Sequence, residues 1–311
     1  MTITDEGKQL KQVVRRIDPQ ARLLRVWQLK GGVSAQVTAL QVEQAGGRRK
    51  KMVVRRYGSV DLQRNPHVAL TEFRLLRLLH SARIAAPEPY YLDETGEVYP
   101  TPYVVVEYVE GEPGLAPSAF ASSPTGTLRQ FATHLARIHA VDDTNADLSF
   151  LPSQDATVAG LLAARTTQRD ESLDEGRIRG ALESAWPRLQ PNRPVLLHGD
   201  FWPGNTLWRD GQLVSVVDWE DAAVGDPLAD LADSRLELLW AFGVDAMQRF
   251  TGLYQSIAGF DDTTLPYWDL YAALRPISKI ATWNLDADTE KTMREQHRWF
   301  TAQAFKKLED Q

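Results

Sequence analysis

The sequence predicts an α+β chain in two parts, a small antiparallel-sheet region followed by a mainly helical one. Three observations carry that prediction. Between residues 22 and 57 the apolar residues come in short runs rich in Val, Leu and aromatics, broken by Gly31-Gly32 and Gly46-Gly47. Glycine and proline interrupt regular pairing at Gly111-Glu112-Pro113-Gly114, and beyond them the apolar spacing becomes helical. The chain has 311 residues, 43% apolar and 24% charged, which suffices for a full core and excludes a disordered or fibrous protein. The boundary is expected near Glu110, giving a first domain of 1–110 and a second of 111–311.

Leu10, Val13, Val14 and Ile17 recur at helical spacing, which predicts a first helix from Asp5 to Ile17, ending before Asp18-Pro19. Strands over Arg22 to Leu29, Gln36 to Val42 and Lys51 to Tyr57 then form a meander. Asn65-Pro66 reads as an N-cap with proline at the first helical position, opening a helix that carries Leu70, Phe73, Leu76 and Leu79. Two more strands follow at Glu88 to Leu92 and Pro102 to Val109. The second part holds a helix with Leu128, Phe131, Leu135 and Ile138, then helical segments near 171–189, 227–241, 243–258 and 287–308. Only 195–219 departs from that pattern: its apolar residues are β-branched or in short runs, and Arg209-Asp210-Gly211-Gln212 is a hairpin signal.

Composition narrows the function. Without a single cysteine there is no disulfide framework, thiolate metal site or cysteine nucleophile. A net charge of -6 argues against a nucleic-acid partner, because neutralising phosphates needs a basic surface. The N-terminus lacks the basic start and apolar run of a secretory signal, and no stretch reaches the ~18 apolar residues of a membrane span, so a cytoplasmic protein with no membrane partner is expected. Oligomeric state leaves no mark in the sequence.

The chemistry concentrates in His198-Gly199-Asp200-Phe201-Trp202-Pro203-Gly204-Asn205, a loop by composition that precedes the proposed hairpin. If Asp210-Gly211 is a two-residue turn, Asn205 faces Val216 and lies diagonal to Asp218, which brings an amide oxygen close to a carboxylate. Hard oxygen donors in such small number suit Mg2+ shared with substrate phosphates. Asp200 lies in the same loop, near enough to orient an attacking hydroxyl or accept its proton.

These residues resemble the aminoglycoside phosphotransferase and choline kinase family, whose fold is that of the eukaryotic protein kinases. The resemblance covers nearly the whole chain and is most specific at His198 to Asn205, Asp218-Trp219-Glu220, Gly225-Asp226-Pro227 and Asp230. It implies a two-lobed protein-kinase-like fold with nucleotide in the cleft between the lobes. Asp200 would be the catalytic base, Asn205 and Asp218 the Mg2+ ligands, and His198 a support for the loop. In the smaller lobe Gly31, Gly32 and Ser34 would belong to the loop over the ATP phosphates. Glu72 would pair with the nucleotide-binding cation, and Glu107 and Val109 would offer backbone groups to the adenine. The reaction implied is transfer of the γ-phosphoryl group of ATP, or GTP, to a hydroxyl of a small molecule.

One position departs from the general kinase pattern. Arginine stands where many kinases carry lysine, in Met52-Val53-Val54-Arg55-Arg56-Tyr57, and alignment favours Arg55 over Arg56. Strand alternation sends the two to opposite faces, so only one can point at nucleotide. Arginine can still neutralise phosphate and pair with Glu72, with a larger, fork-shaped group.

Other features have structural readings. Asp226 is most simply an N-cap before Pro227, and Asp230 a support. The segment from Asp218 to Glu237 is strongly acidic with a single Arg235, which would favour a cationic acceptor such as an amino sugar or quaternary amine. Trp202, Trp219 and Trp240 would either line an acceptor pocket or pack in the core. An antibiotic phosphotransferase, a metabolic kinase for an amino alcohol, sugar or amino acid, and a nucleotide-binding module without catalysis are the three functions in view.

Overall fold

The computed structural model describes residues 5–29, 35–114, 120, 123–164 and 169–310. The chain divides into two units, one of residues 1–111 with 214–220 and one of 112–213 with 221–311.

The first unit is built on a five-stranded antiparallel sheet in the order β1-β2-β3-β5-β4, with β1 Arg22–Gln28, β2 Ala35–Glu43, β3 Arg49–Tyr57, β4 Pro89–Asp93 and β5 Tyr103–Glu107. Alternation assigns its two faces. Leu40, Val42, Met52, Val54, Tyr103 and Val105 pack with Leu10, Val13 and Val14 of helix α1 (Asp5–Ile17). Acidic Asp5 and Glu6 in the first turn of α1 and basic Arg15 and Arg16 in its last suit the helix dipole. Two further helices of this unit are α2 (Ser59–Arg64) and α3 (Val68–Ser81). Helix α3 packs on β4 and β5 through a face that includes buried Leu75, Leu76 and Leu79.

Helix α3 starts later than Asn65-Pro66 suggests. The short α2 precedes it, and Asn65 makes the turn between them, its Oδ1 accepting from His67 N–H at 2.9 Å and its carbonyl from Val68 N–H at 3.1 Å. The segment 214–220 joins this unit, where Val216 N–H donates to the Ala85 carbonyl at 2.8 Å.

The second unit is mostly helical: α4 Pro124–Ile138, α5 Gln154–Ala163, α6 Glu175–Ala185, α7 Leu228–Phe242, α8 Val244–Ala258, α9 Leu265–Leu274 and α10 Ala287–Glu309. Helix α7 packs on α8 and α9, while α8 also packs on α4. Phe131 of α4 stacks on Phe201 with ring centroids 4.5 Å apart, and Phe250 of α8 lies 5.3 Å from the same ring. Strand β7 (Val195–Leu197) pairs antiparallel with β10 (Ala223–Gly225). Strands β6 (Glu112–Pro113), β8 (Thr206–Arg209) and β9 (Gln212–Val216) form another small sheet. Asp210 and Gly211, with φ of 52° and 74°, supply the two left-handed residues of a tight β8–β9 turn. Helices α5 and α9 and strand β10 are additions to the elements expected from the sequence, and β6 is a correction to them, since Glu112 and Pro113 pair with Trp208 and Leu207 where the sequence predicts that pairing stops.

Candidate active site

In the first unit the neighbouring arginines of β3 part company. Arg56 reaches Glu6 of α1 at 3.5 Å, whereas Arg55 turns to the other face, where its Nε lies 3.4 Å from Glu72 Oε2 on α3. Arg55 Nη2 also donates to Asp218 Oδ1 at 2.6 Å and to Glu220 Oε2 at 2.8 Å. Three carboxylates thus converge on one buried guanidinium. Burial works against that charge, but Glu72 and Asp218 outweigh it and hold Arg55 protonated well above its ordinary range. Tyr57 Oη donates to Glu72 Oε2, the same oxygen that faces Arg55, and burial followed by the Glu72 charge pushes the phenol up.

Asp218 has φ 67°, left-handed backbone that costs a non-glycine residue about 1 kcal/mol and that Asp and Asn tolerate best. Glu107 ends β5, where its amide donates to the Glu88 carbonyl at 2.8 Å, and half-buried Val109 lies two residues beyond the strand. Gly31, Gly32 and Ser34 lie outside the described residues.

In the second unit, buried β7 delivers the chain into the loop that starts at His198, and a short turn, Pro203–Asn205, leads out into β8. Phe201, fully buried, plugs the loop into the helical core. Asn205 Nδ2 donates to both the carbonyl and Oδ2 of Asp200, each at 2.9 Å. That commits the amide nitrogen and leaves the Asn205 carbonyl oxygen as its acceptor end. Among the described residues no three His, Cys, Asp or Glu side chains group as metal ligands. A carboxylate has lone pairs beyond those one arginine uses, so Asp218 can bond Arg55 and still serve a cation. Asn205 Oδ1 and the Asp218 carboxylate are each hard oxygen donors of the kind that Mg2+ accepts.

His198 is a support by its geometry: it is fully buried, and its Nδ1 accepts from the Asp200 amide at 3.3 Å. The backbone around it is fastened by α7. Asp230 accepts from His198 N–H at 2.7 Å and Gly199 N–H at 2.9 Å, and Ser234 Oγ donates to the Phe201 carbonyl at 2.6 Å. Burial alone would raise Asp230, but its hydrogen bonds with the His139 ring and the His198 amide hold it below the usual carboxylate range. Asp226 accepts from Leu228 N–H at 2.9 Å, as a cap would, and from Asn192 N–H at 2.9 Å.

Sequence reading missed His139 and Arg275. His139 Nε2 lies 3.2 Å from Asp230 Oδ2, and its Nδ1 lies 2.6 Å from Tyr254 Oη. Arg275 donates to Asp233 Oδ1 at 2.7 Å and to the Gly199 carbonyl at 3.1 Å. Neither belongs to a motif; a lone cation closing α9 near an excess of acids was the one available signal. The acidic stretch is also less bare than its composition, since Arg235 pairs with Asp269 at 2.8 Å and 3.0 Å. Trp219 is core, bonding the Val216 carbonyl at 3.0 Å. Trp202 is exposed, and Trp240 lines a surface cavity of about 300 Å³ with Asp288, Met293 and Gln296.

Known proteins bear on this geometry at three levels. Acyl-CoA dehydrogenase family member 10 of Mus musculus is 28% identical over 251 residues, which are 76% of this chain and 23% of that protein. The chain likewise spans only 29% of family member 11 of Homo sapiens, at 24% identity over 239 residues. Viomycin phosphotransferase of Streptomyces vinaceus is 29% identical over 199 residues, 60% of this chain and 66% of that one. Among solved structures, an amicoumacin kinase in complex with AMP-PNP, Ca2+ and Ami superposes with a TM-score of 0.67 at 14% identity, covering 97% of this chain and 96% of that one. Macrolide 2'-phosphotransferase of Brachybacterium faecium gives 0.61 at 20% identity, covering 94% and 97%. The fold shared with them is the protein-kinase-like one, an antiparallel sheet region followed by helices. The family described as "Phosphotransferase enzyme family" matches residues 26–274, and the chain belongs to it.

Proposed function

We propose that this chain is a small-molecule kinase that moves the γ-phosphoryl group of ATP, or GTP, to a hydroxyl of its acceptor. The observation that carries the reading is the loop from His198 to Asn205, where the Asp200 carboxylate is bonded to Asn205 at 2.9 Å on a backbone fastened by Asp230. Asp200 is the group that orients the acceptor hydroxyl and takes its proton. Arg55 with Glu72 meets nucleotide phosphate, Gly31, Gly32 and Ser34 belong to the phosphate loop, and the backbone of Glu107 and Val109 meets the base. Asn205 and Asp218 are the Mg2+ ligands, and Mg2+ when bound neutralises charge on the phosphates. Residues 1–110 serve nucleotide, and 111–311 serve catalysis and acceptor.

The acceptor class follows from charge. Asp200, Asp221 and Asp230 lie close enough together for their charges to act jointly on Asp233, and that concentration of negative charge favours a cationic acceptor of the aminoglycoside kind. A metabolic kinase acting on choline, homoserine or a sugar is the second reading, because membership of the phosphotransferase family does not by itself select an acceptor.

The test is Mg2+-dependent ADP release against pooled aminoglycosides, macrolides, choline and ethanolamine, homoserine and sugars, with Asp200→Asn alongside. Turnover with one pool that falls by about 10²-fold or more in the variant is expected. An equal rate in the variant would overturn the role of Asp200.

A further inference from the structure

Gly199 lies between two peptide groups that are held from the same helix. Its N–H, like that of His198, donates to Asp230. Its carbonyl accepts from Arg275 Nη2 at 3.1 Å, and Arg275 Nη1 donates to Asp233 Oδ1 at 2.7 Å. Asp230 and Asp233 are three apart on α7 and share a face. Arg275 follows directly on α9, which packs on α7. One carboxylate therefore grips the peptide before Gly199 directly, and the next grips the peptide after it through a guanidinium.

We propose that Arg275, held by Asp233, is a positioning residue that fixes the peptide joining Gly199 to Asp200 and with it the direction of the Asp200 carboxylate. The inference rests on the catalytic role proposed above for Asp200. The Gly199 carbonyl and the Asp200 nitrogen belong to one rigid plane, so holding the carbonyl sets the bond from which the Asp200 side chain hangs. Gly199 cannot hold that plane itself. Its φ is 82°, and a Cβ there would stand 2.1 Å from the Asp221 carbonyl oxygen, so only glycine fits and glycine brings no side-chain restraint.

The pair is poorly explained as a stabilising device. Asp233 is nine-tenths buried, and its Oδ2 has no hydrogen-bond partner among the described residues. Burial, and then the charges of Asp200, Asp230 and Asp221, push Asp233 up to about 7 against the pull of Arg275. A buried ion pair with an unsatisfied oxygen is the kind that apolar replacement often leaves equally stable. Its geometry points to the loop.

The test uses the full chain and compares wild type with Arg275→Ala, Arg275→Lys and Asp233→Asn, with Asp200→Asn as the control on the underlying reading. Amide hydrogen exchange over His198 to Asp200 needs no knowledge of the acceptor and is expected to quicken about tenfold in Arg275→Ala, with exchange in α8 unchanged. Turnover, read with the active acceptor pool or as hydrolysis of Mg2+-ATP, is expected to fall about 10- to 100-fold in kcat while both KM values stay within about threefold. Arg275→Lys and added guanidinium should each recover part of the loss, which a merely structural role would not allow. Unchanged exchange over His198 to Asp200, an unchanged kcat, or a rise in acceptor KM alone would overturn the proposal. If Arg275→Ala does not fold, Arg275→Lys and Asp233→Asn carry the same readings. Loss of turnover in Asp200→Asn with full turnover in the Arg275 variants would sink this inference alone, whereas retained turnover in Asp200→Asn would sink both.

Discussion

Gly199 and Gly211 share a left-handed backbone, at φ 82° and 74°, but differ in what surrounds them. A Cβ at Gly211 meets nothing within 4 Å, whereas one at Gly199 runs into the Asp221 carbonyl at 2.1 Å. Gly211→Ala should therefore cost only the conformational term, about 1–2 kcal/mol in urea unfolding. Gly199→Ala should cost clearly more, because backbone must move as well, and should slow turnover by displacing Asp200. Equal losses in the two variants would show that the close approach at Gly199 relaxes without penalty. Asp230 invites a second comparison. Because its folded proton affinity lies below the ordinary carboxylate value, it stabilises the fold above that value and the contribution fades as pH falls through the folded one. Asp230→Asn should cost about 3 kcal/mol near neutrality, and the gap to wild type should narrow below about pH 4. A gap that does not change with pH would mean that shape, rather than charge, is what Asp230 supplies.

At the scale of elements, α7 arranges the loop: Asp230, Asp233 through Arg275, and Ser234 each hold a peptide group between His198 and Phe201. One turn on, burial and then Asp233 and Asp200 push Glu237 up to about 8, against Arg275. Between its ordinary value and about 8 the folded chain keeps a proton that the unfolded chain releases, so stability declines as pH rises through that window. Glu237→Gln removes the decline, and thermal unfolding should find the variant gaining about 1–3 kcal/mol on wild type between about pH 5 and pH 8. A constant difference would place Glu237 in solvent. Much of this layer was legible in the sequence. The five strands of the first sheet and α1, α4, α7, α8 and α10 announce themselves by period, and Asp200 and Asn205 are close because one loop carries both. Helix α9 was not legible because it is buried almost all round and so has no polar face to create a period. Helix α5 hides for the opposite reason, with only Gln154 and Val158 buried. Arg275 reaches the loop, and His139 reaches Asp230 beneath it, through tertiary contacts 76 and 91 residues apart in sequence, which no local pattern encodes.

For the whole molecule, ligand linkage offers a reading of the cation that does not depend on finding the acceptor. A ligand that binds only the folded chain stabilises it by about 2.7 kcal/mol at a hundred times its Kd, which is several degrees in Tm for a chain of this size. ATP should raise Tm, and Mg2+ should add a further increment if Asp218 is one of its ligands. The informative variant is Asp218→Asn rather than alanine. With φ at 67° the position demands a residue that accepts left-handed backbone, and asparagine does so at little cost. Removing the charge still leaves Arg55 two carboxylates, Glu72 at 3.4 Å and Glu220 at 2.8 Å, so the guanidinium is not orphaned in its buried place. The apo Tm should then stay within a few degrees of wild type, and the shift from ATP alone should remain. The Mg2+ increment should vanish, together with Mg2+-dependent ADP release. An undiminished increment in Asp218→Asn would overturn the assignment of Asp218 as a metal ligand. Loss of the ATP shift itself would instead make the Asp218 carboxylate an anchor that orients Arg55 toward nucleotide.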